Sequence, residues 1–231
     1  MKKIAIIPAR GGSKRIPRKN IIDFQGKPLI AYSIEAAQNS GLFDEVMVST
    51  DDKEISQVAS HYGARIPFYR TNKNADDFAT TSEVITEVLE DYEQKYNQTF
   101  DHYCCIYATS LFLSSEKLIE SYAKFSASGA ASLIPVVKYS FPPQRAFIVE
   151  DGVLKYFEPT HINSRSQDLT PVYHDAGQFY WGKVRSFVET KLLVSEDAKP
   201  FIVPDLEVQD IDDYEDLELA KLKFIHAQKG N

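Results

Sequence analysis

At 231 residues, 43% apolar and 26% charged, the chain is long enough to bury the core of one α/β domain, or of one domain with a modest extension. A formal charge of −7 weighs against nucleic acid as the main partner, and no stretch approaches the roughly 20 apolar residues of a membrane span. Cys104 and Cys105 are the only cysteines and are adjacent, so they neither staple a fold nor show a metal-site spacing; buried thiols in a reducing cytoplasm are expected.

Ile4 to Pro8 is an apolar run that reads as a buried strand and not a secretory signal, because it is short and meets a basic cluster. Pro28 suits the first turn of a helix, with Ile30, Ile34 and Ala37 on one face and Gly41 as the stop. Val46 to Ser49 is the second strand. Asp51 and Glu54 resemble a capping box opening a helix that ends near Gly63. Ile66 to Tyr69 reads as a third short strand. Thr80 and Glu83 form another capping box, ahead of Val84, Ile85, Val88, Leu89 and Tyr92 at helical spacing. Tyr103 to Ala108 and Ser132 to Val137 are further strands, with a helix from near Ser114 between them. This alternation predicts a doubly wound, Rossmann-like α/β fold: a mostly parallel, twisted sheet with helices on both faces.

The rhythm breaks over residues 138–175, which hold several prolines, many polar groups and scattered aromatics. They read as a small arm inserted in the main domain, with a hairpin from Ile148 to Leu154 around Asp151-Gly152. A strand over Gln178–Trp181, a helix over Lys183–Thr190, a strand over Phe201–Val203 and a helix from about Tyr214 complete the pattern. No repeat or linker divides the chain, so residues 1–231 are expected to form a single domain.

Four segments carry groups suited to chemistry. Behind the first strand, Gly11 and Gly12 allow close approach of backbone N–H groups to an anion, and Arg10, Lys14, Arg15, Arg18 and Lys19 add positive charge to an otherwise acidic chain. The spacing is neither a Walker A loop nor a GxGxxG fingerprint. A solvated basic loop is the plain alternative, but the carboxyl end of the first strand is where open α/β sheets bind ligands, and a polyphosphate is the favoured occupant. In the second segment, Asp210 and Asp212 flank Ile211; in extended backbone both carboxylates point one way, as a Mg²⁺ site needs. Their alternative is capping of the next helix by Asp212 or Asp213. The third, Arg70 to Ser82, is either a nucleobase pocket or an ordinary polar loop. The fourth, Tyr173 to Gly182 with Asn163 to Gln167, sets aromatic rings beside amide, guanidinium and carboxylate groups; a sugar site and packing of the arm, or a subunit contact, both remain open.

Ile7-Pro-Ala-Arg-Gly-Gly-Ser-Lys14 with Lys19-Asn20, the segment after Arg70 and the late Asp210-Ile-Asp212, in that order, resemble the acylneuraminate cytidylyltransferase family. Phe141-Pro-Pro-Gln-Arg145, Asn163 to Asp168 and Tyr173 to Trp181 look most like its pseudaminic acid branch. Sialic acid activating relatives usually carry an Asn-Gly-Ala-type segment where this chain has Asp175-Ala-Gly177. The resemblance implies a nucleotide-diphospho-sugar transferase-like fold and attack of the anomeric hydroxyl of a nonulosonic acid on the α-phosphate of CTP, with loss of pyrophosphate. It implies a Mg²⁺ requirement and a homodimer whose arm reaches over the partner.

Carried onto this chain, Lys19 would neutralise the α-phosphate, and Ala9, Arg10, Gly11, Gly12 and Ser13 would hold the pyrophosphate end. Asn20, Arg70, Thr80, Thr81 and Ser82 would bind ribose and base, and Asp210 and Asp212 the metal. Arg165, Gln167, Asp175, Gln178 and Tyr180 are the sugar-pocket candidates. Expected location is cytoplasmic, with no nucleic acid or membrane partner. Competing readings are a glycosyltransferase that consumes a nucleotide sugar through the Asp-x-Asp pair, and a CTP-binding module without turnover.

Overall fold

The computed structural model describes residues 1–229. Its elements run β1 (Lys3–Pro8), a short hairpin of β2 (Asp23–Phe24) and β3 (Lys27–Pro28), α1 (Leu29–Asn39), β4 (Glu45–Ser49), α2 (Lys53–His61), α3 (Thr81–Tyr96), β5 (His102–Ile106), α4 (Ser115–Ser128) and β6 (Ser132–Lys138). The arm carries β7 (Phe147–Glu150) and β8 (Val153–Tyr156), and the chain closes with β9 (Tyr173–Asp175), β10 (Phe179–Lys183), α5 (Val184–Thr190), β11 (Lys199–Ile202) and α6 (Tyr214–Lys229).

The main sheet has the order β11-β6-β10-β5-β1-β4, with β9 paired along β6. It is parallel where β1 joins β4 and β5 and where β11 joins β6; β10 runs antiparallel to β5 and β6 and is the point at which the sheet becomes mixed. Successive side chains alternate between two buried faces, as the period of a strand requires. Ala5, Ile7, Val48 and Cys104 pack with Ile30 and Ile34 of α1 and Phe125 of α4. Ile4, Ile6, Met47 and Cys105 pack with Ile85, Val88 and Tyr92 of α3. The adjacent cysteines therefore enter opposite layers, and burial raises both thiol pKa values, so both stay protonated.

Local sequence explains most boundaries. Thr80 and Glu83 make the reciprocal capping box of α3, Ser114 caps α4, and Asp151 and Gly152, both at positive φ, turn the β7–β8 hairpin. Two expectations fail. Residues 66–69 form no strand: Arg65 alone bridges Met47, and Pro67 offers no N–H to extend the ladder. The cap of α2 is Asp52, whose Oδ1 accepts from the backbone N–H of Glu54 and Ile55; Asp51 is engaged elsewhere.

Residues 138–175 leave the sheet at the end of β6 and return through β9, where Lys138 pairs with Tyr173. Between these points the β7–β8 hairpin is a separate two-stranded sheet. Phe141, Val149 and Phe157 there are 87%, 70% and 60% exposed.

Candidate active site

A cleft of about 570 Å³ opens at the carboxyl ends of β1 and β5, lined by Arg10, Ser13, Lys14, Arg15, Lys19, Asn20, Arg70, Asp77, Thr81, Tyr107, Asp210 and Asp212, among others. Its basic wall is anchored from below. Ala9 is buried and its N–H donates to the Ser49 carbonyl at 2.9 Å; the Asn20 amide donates to the Arg10 carbonyl at 3.0 Å. Arg18 holds left-handed backbone (φ 59°) while its guanidinium reaches Asp52 and Glu54 at the start of α2. That pairing holds the Asp52 carboxyl below the usual carboxylate range.

Gly11 is required by space. A Cβ there would lie 2.8 Å from Asp52 Oδ2. Its N–H donates to Asp51 Oδ1 at 3.0 Å, so this amide is occupied by a carboxylate of the chain itself and, unlike the expected cradle, does not face the cleft. Asp51 is thereby spent on the loop, which is why the neighbouring aspartate caps α2. Gly12 borders open space, and neither glycine lines the cleft.

The acidic wall comes from the segment before α6. Ile211 is fully buried, and Asp210 and Asp212 on either side of it line the cleft. Capping falls to Asp213, whose Oδ1 accepts from the N–H groups of Glu215 and Asp216 at 2.9 and 3.0 Å, leaving the Asp212 side chain to the cleft. Arg15 lies 2.7 Å from Asp212 Oδ1; Lys19 Nζ lies 3.6 Å from the same oxygen and donates to the Ile211 carbonyl at 2.5 Å. Burial, then the neighbouring Asp212, raises the Asp210 carboxyl above its ordinary value, a cost that a cation would offset. Among the described residues no three His, Cys, Asp or Glu side chains cluster as a complete ligand set. Two carboxylates beside a phosphate-sized space fit Mg²⁺, which fills its other positions with water and phosphate oxygens.

The third wall separates residues that are adjacent in sequence. Arg70 is buried, holds Ser49 through Nε–Oγ (3.0 Å) and a second bond to the Ser49 carbonyl (2.6 Å), and lines the cleft floor. Thr81 faces the cleft, with Oγ1 3.1 Å from the Tyr107 hydroxyl. Thr80 is occupied in capping, and both it and Ser82 lie in a neighbouring groove with Glu83 and Glu87.

None of the five sugar-pocket candidates lines this cleft. Tyr180 is buried and donates to Asp175 Oδ2 at 2.7 Å; its ring packs 5.3 Å from that of Tyr107, the aromatic that does line the cleft. Gln178 is buried too, and its Nε2 donates to the Glu207 carbonyl at 2.6 Å, tying β10 to the chain before the acidic wall. Arg165 and Gln167 sit on the exposed arm, Arg165 against Asp168 at 2.7 Å. The sequence pattern does not single out Tyr107 or Thr109, and Asp77 falls within the Arg70–Ser82 segment without being distinguished there. Tyr107 lies in the expected strand Tyr103–Ala108, but β5 ends at Ile106, which places Tyr107 at the carboxyl end of a strand where such sheets bind ligands.

The cytidylyltransferase family profile matches residues 4–187. The pseudaminic acid cytidylyltransferase of Campylobacter jejuni serotype O:2 is 48% identical over 225 residues, covering 97% of each chain. The CMP-N,N'-diacetyllegionaminic acid synthase of Legionella pneumophila is 32% identical, over 92% of this chain and 91% of that one. A solved CMP:2-keto-3-deoxy-manno-octonic acid synthetase complexed with CTP superposes with a TM-score of 0.70 at 19% identity, covering 99% of this chain and 100% of that chain, and so shares the fold. The chain belongs to the cytidylyltransferase family.

Proposed function

We propose that this cytidylyltransferase transfers CMP from CTP to the anomeric hydroxyl of a nonulosonic acid, pseudaminic acid, and releases pyrophosphate. One observation carries the reading: a basic loop and an acidic pair, joined by a contact spanning 192 positions from Lys19 to Ile211, face each other across a single cleft. Phosphoryl transfer needs both halves of that clamp. The choice of pseudaminic acid is supported by the 48% identical relative.

In this reading the sugar hydroxyl oxygen forms the new bond to the α-phosphorus as the bond from that phosphorus to the bridging oxygen breaks; the hydroxyl proton is released to solvent and the bonding electrons leave with pyrophosphate. Lys19 neutralises charge on the α-phosphate, and Arg10 with Ser13 holds the departing pyrophosphate. Arg70, Asn20 and Thr81 take the ribose and base. Asp210 and Asp212 would hold Mg²⁺, which when bound supplies Lewis-acid stabilisation of the phosphate oxygens. Asp175 and Tyr180 act from behind Tyr107. Arg165 and Gln167 would serve the cleft of a second copy in a homodimer, because the arm that carries them exposes Phe141, Val149 and Phe157. The use of CTP as donor accords with work in the cytoplasm.

The test is pyrophosphate release with CTP, Mg²⁺ and a panel of pseudaminic, legionaminic, N-acetylneuraminic and 3-deoxy-octulosonic acids. Release with pseudaminic acid is the expected result. Release with another acid alone keeps the reaction and overturns the sugar; binding of CTP with no release on any acid overturns the reaction.

A further inference from the structure

Arg10 and Lys14 already have a shared partner inside the chain. Arg10 Nη1 lies 2.7 Å from Asp77 Oδ1 and also donates to the Asp76 carbonyl at 2.7 Å, while the Lys14 ammonium pairs with Asp77 Oδ2. Lys14 and then Arg10 hold the Asp77 carboxyl below the usual carboxylate range. One carboxylate thus offers two oxygens to two cations, as a phosphate group would, and it does so on the lining of the cleft. The turn that delivers it, between Asn74 and the capped start of α3, packs little apolar surface. Asp76 Oδ1 accepts from the N–H groups of Phe78 and Ala79 at 2.9 and 2.8 Å, a local turn, and Phe78 at 89% exposure buries almost none of its ring. The two cations nearer the acidic wall, Arg15 and Lys19, pair instead with Asp212. Asp77 and Asp212 thus divide the cations of the loop between them.

We propose that Asp77 is an internal competitor for the pyrophosphate end of the site. Its carboxylate exchanges with the β- and γ-phosphates on Arg10 and Lys14, admits anions that carry enough charge to displace it, and speeds pyrophosphate off those cations after transfer. The inference rests on the cytidylyl-transfer reading, which puts the leaving phosphates on Arg10. It makes Asp77 a determinant of selectivity between CTP or pyrophosphate, which must displace it, and CMP, whose one phosphate lies at the reacting end beside Lys19.

Calorimetric titration of the wild type and Asp77→Asn with pyrophosphate, and separately with CMP, at one Mg²⁺ concentration tests it. Exposed ion pairs are individually weak, so losing two competing contacts should tighten pyrophosphate about five- to tenfold, with CMP unchanged within about twofold. Asp77→Ser should give the same selective gain, and matched melting temperatures establish that both variants fold. Unchanged or weaker pyrophosphate binding overturns the proposal, because Asp77 would then support Arg10 and not compete with its ligand. An equal gain for CMP overturns it as well, since that is a general effect of charge. Failure of the cytidylyl-transfer reading looks different: wild type would release no pyrophosphate from CTP on any keto-sugar acid.

Discussion

Ile211, fully buried between the two cleft aspartates, and Phe141, 87% exposed on the arm, show two ways of placing functional groups. In the cleft, a buried residue or a backbone bond seats five of the charged groups: Ile211 lies between Asp210 and Asp212 and its carbonyl accepts from Lys19, Asn20 donates to the Arg10 carbonyl, and Ser49 accepts from Arg70. In the arm the polar candidates bond to near neighbours in sequence, Arg165 to Asp168, and the large apolar side chains face outward. The proposed nucleotide-binding residues gather in one cleft, whereas Arg165 and Gln167 of the proposed sugar site stand on the arm away from it.

Asp212→Ala should lower kcat about 100-fold or more in steady-state pyrophosphate release, because losing a principal charge-stabilising group commonly costs that much. The melting temperature should hardly move, because Asp213 retains the cap of α6. An unchanged kcat would remove Asp212 from the machinery.

In the arm, the proposed homodimer contact is tested by replacing Val149 and Phe157 together by Asp: association of two copies in sedimentation should weaken at least about tenfold, given the energies typical of apolar contacts central to an interface, and a wild type that sediments as a monomer would remove the contact. KM for the sugar acid should rise while the Kd for CTP holds within about twofold. A fall in CTP affinity of equal size would show that the two regions are not separable.

Tyr107→Phe is a smaller cut on the cleft side. It removes the hydroxyl that meets Thr81; a neutral hydrogen bond within the protein contributes about 1 kcal/mol to stability, so the melting temperature should fall slightly, and KM for one substrate should rise a few-fold as Thr81 loses its partner. The substrate affected tells whether this wall serves the base or the sugar.

The smallest effect concerns the clamp under the basic loop. Asn keeps the capping oxygen but not the charge, so Asp52→Asn isolates the pairing with Arg18. The folded Asp52 carboxyl titrates below its unfolded value, so the unfolded chain takes up its proton first as pH falls. The stabilisation is therefore complete above the ordinary carboxylate range and lost below it. The melting-temperature gap between wild type and Asp52→Asn should be constant above about pH 5 and close below about pH 4. A gap that persists in acid would assign the stability to packing.

Reading along the chain found what is encoded within a few residues. Thr80 and Glu83, Ser114, and Asp151-Gly152 each carry their partner three or four positions away or within their own backbone preference, so they read correctly without a fold. Choices between neighbours did not. Whether Asp51 or Asp52 caps α2 turns on the Gly11 N–H, 40 positions earlier, and whether Thr80, Thr81 or Ser82 enters the cleft turns on Tyr107. Gln178 and Tyr180 are polar groups in an aromatic segment, the pattern of a sugar site, yet they are buried and bonded to Glu207 and Asp175.

Local period and composition encode the alternation of buried strands and amphipathic helices, the concentration of cations behind β1 and the carboxylate pair flanking Ile211. The 3.6 Å approach of Asp212 to Lys19, the bridge of Asp77 between Arg10 and Lys14, and the separation of Arg165 and Gln167 from the cleft arise only when the chain folds. Such pairings join residues dozens to nearly two hundred positions apart. They are set by strand order and by the register in which β1, β4 and β5 bring their carboxyl ends together, which no local spacing encodes.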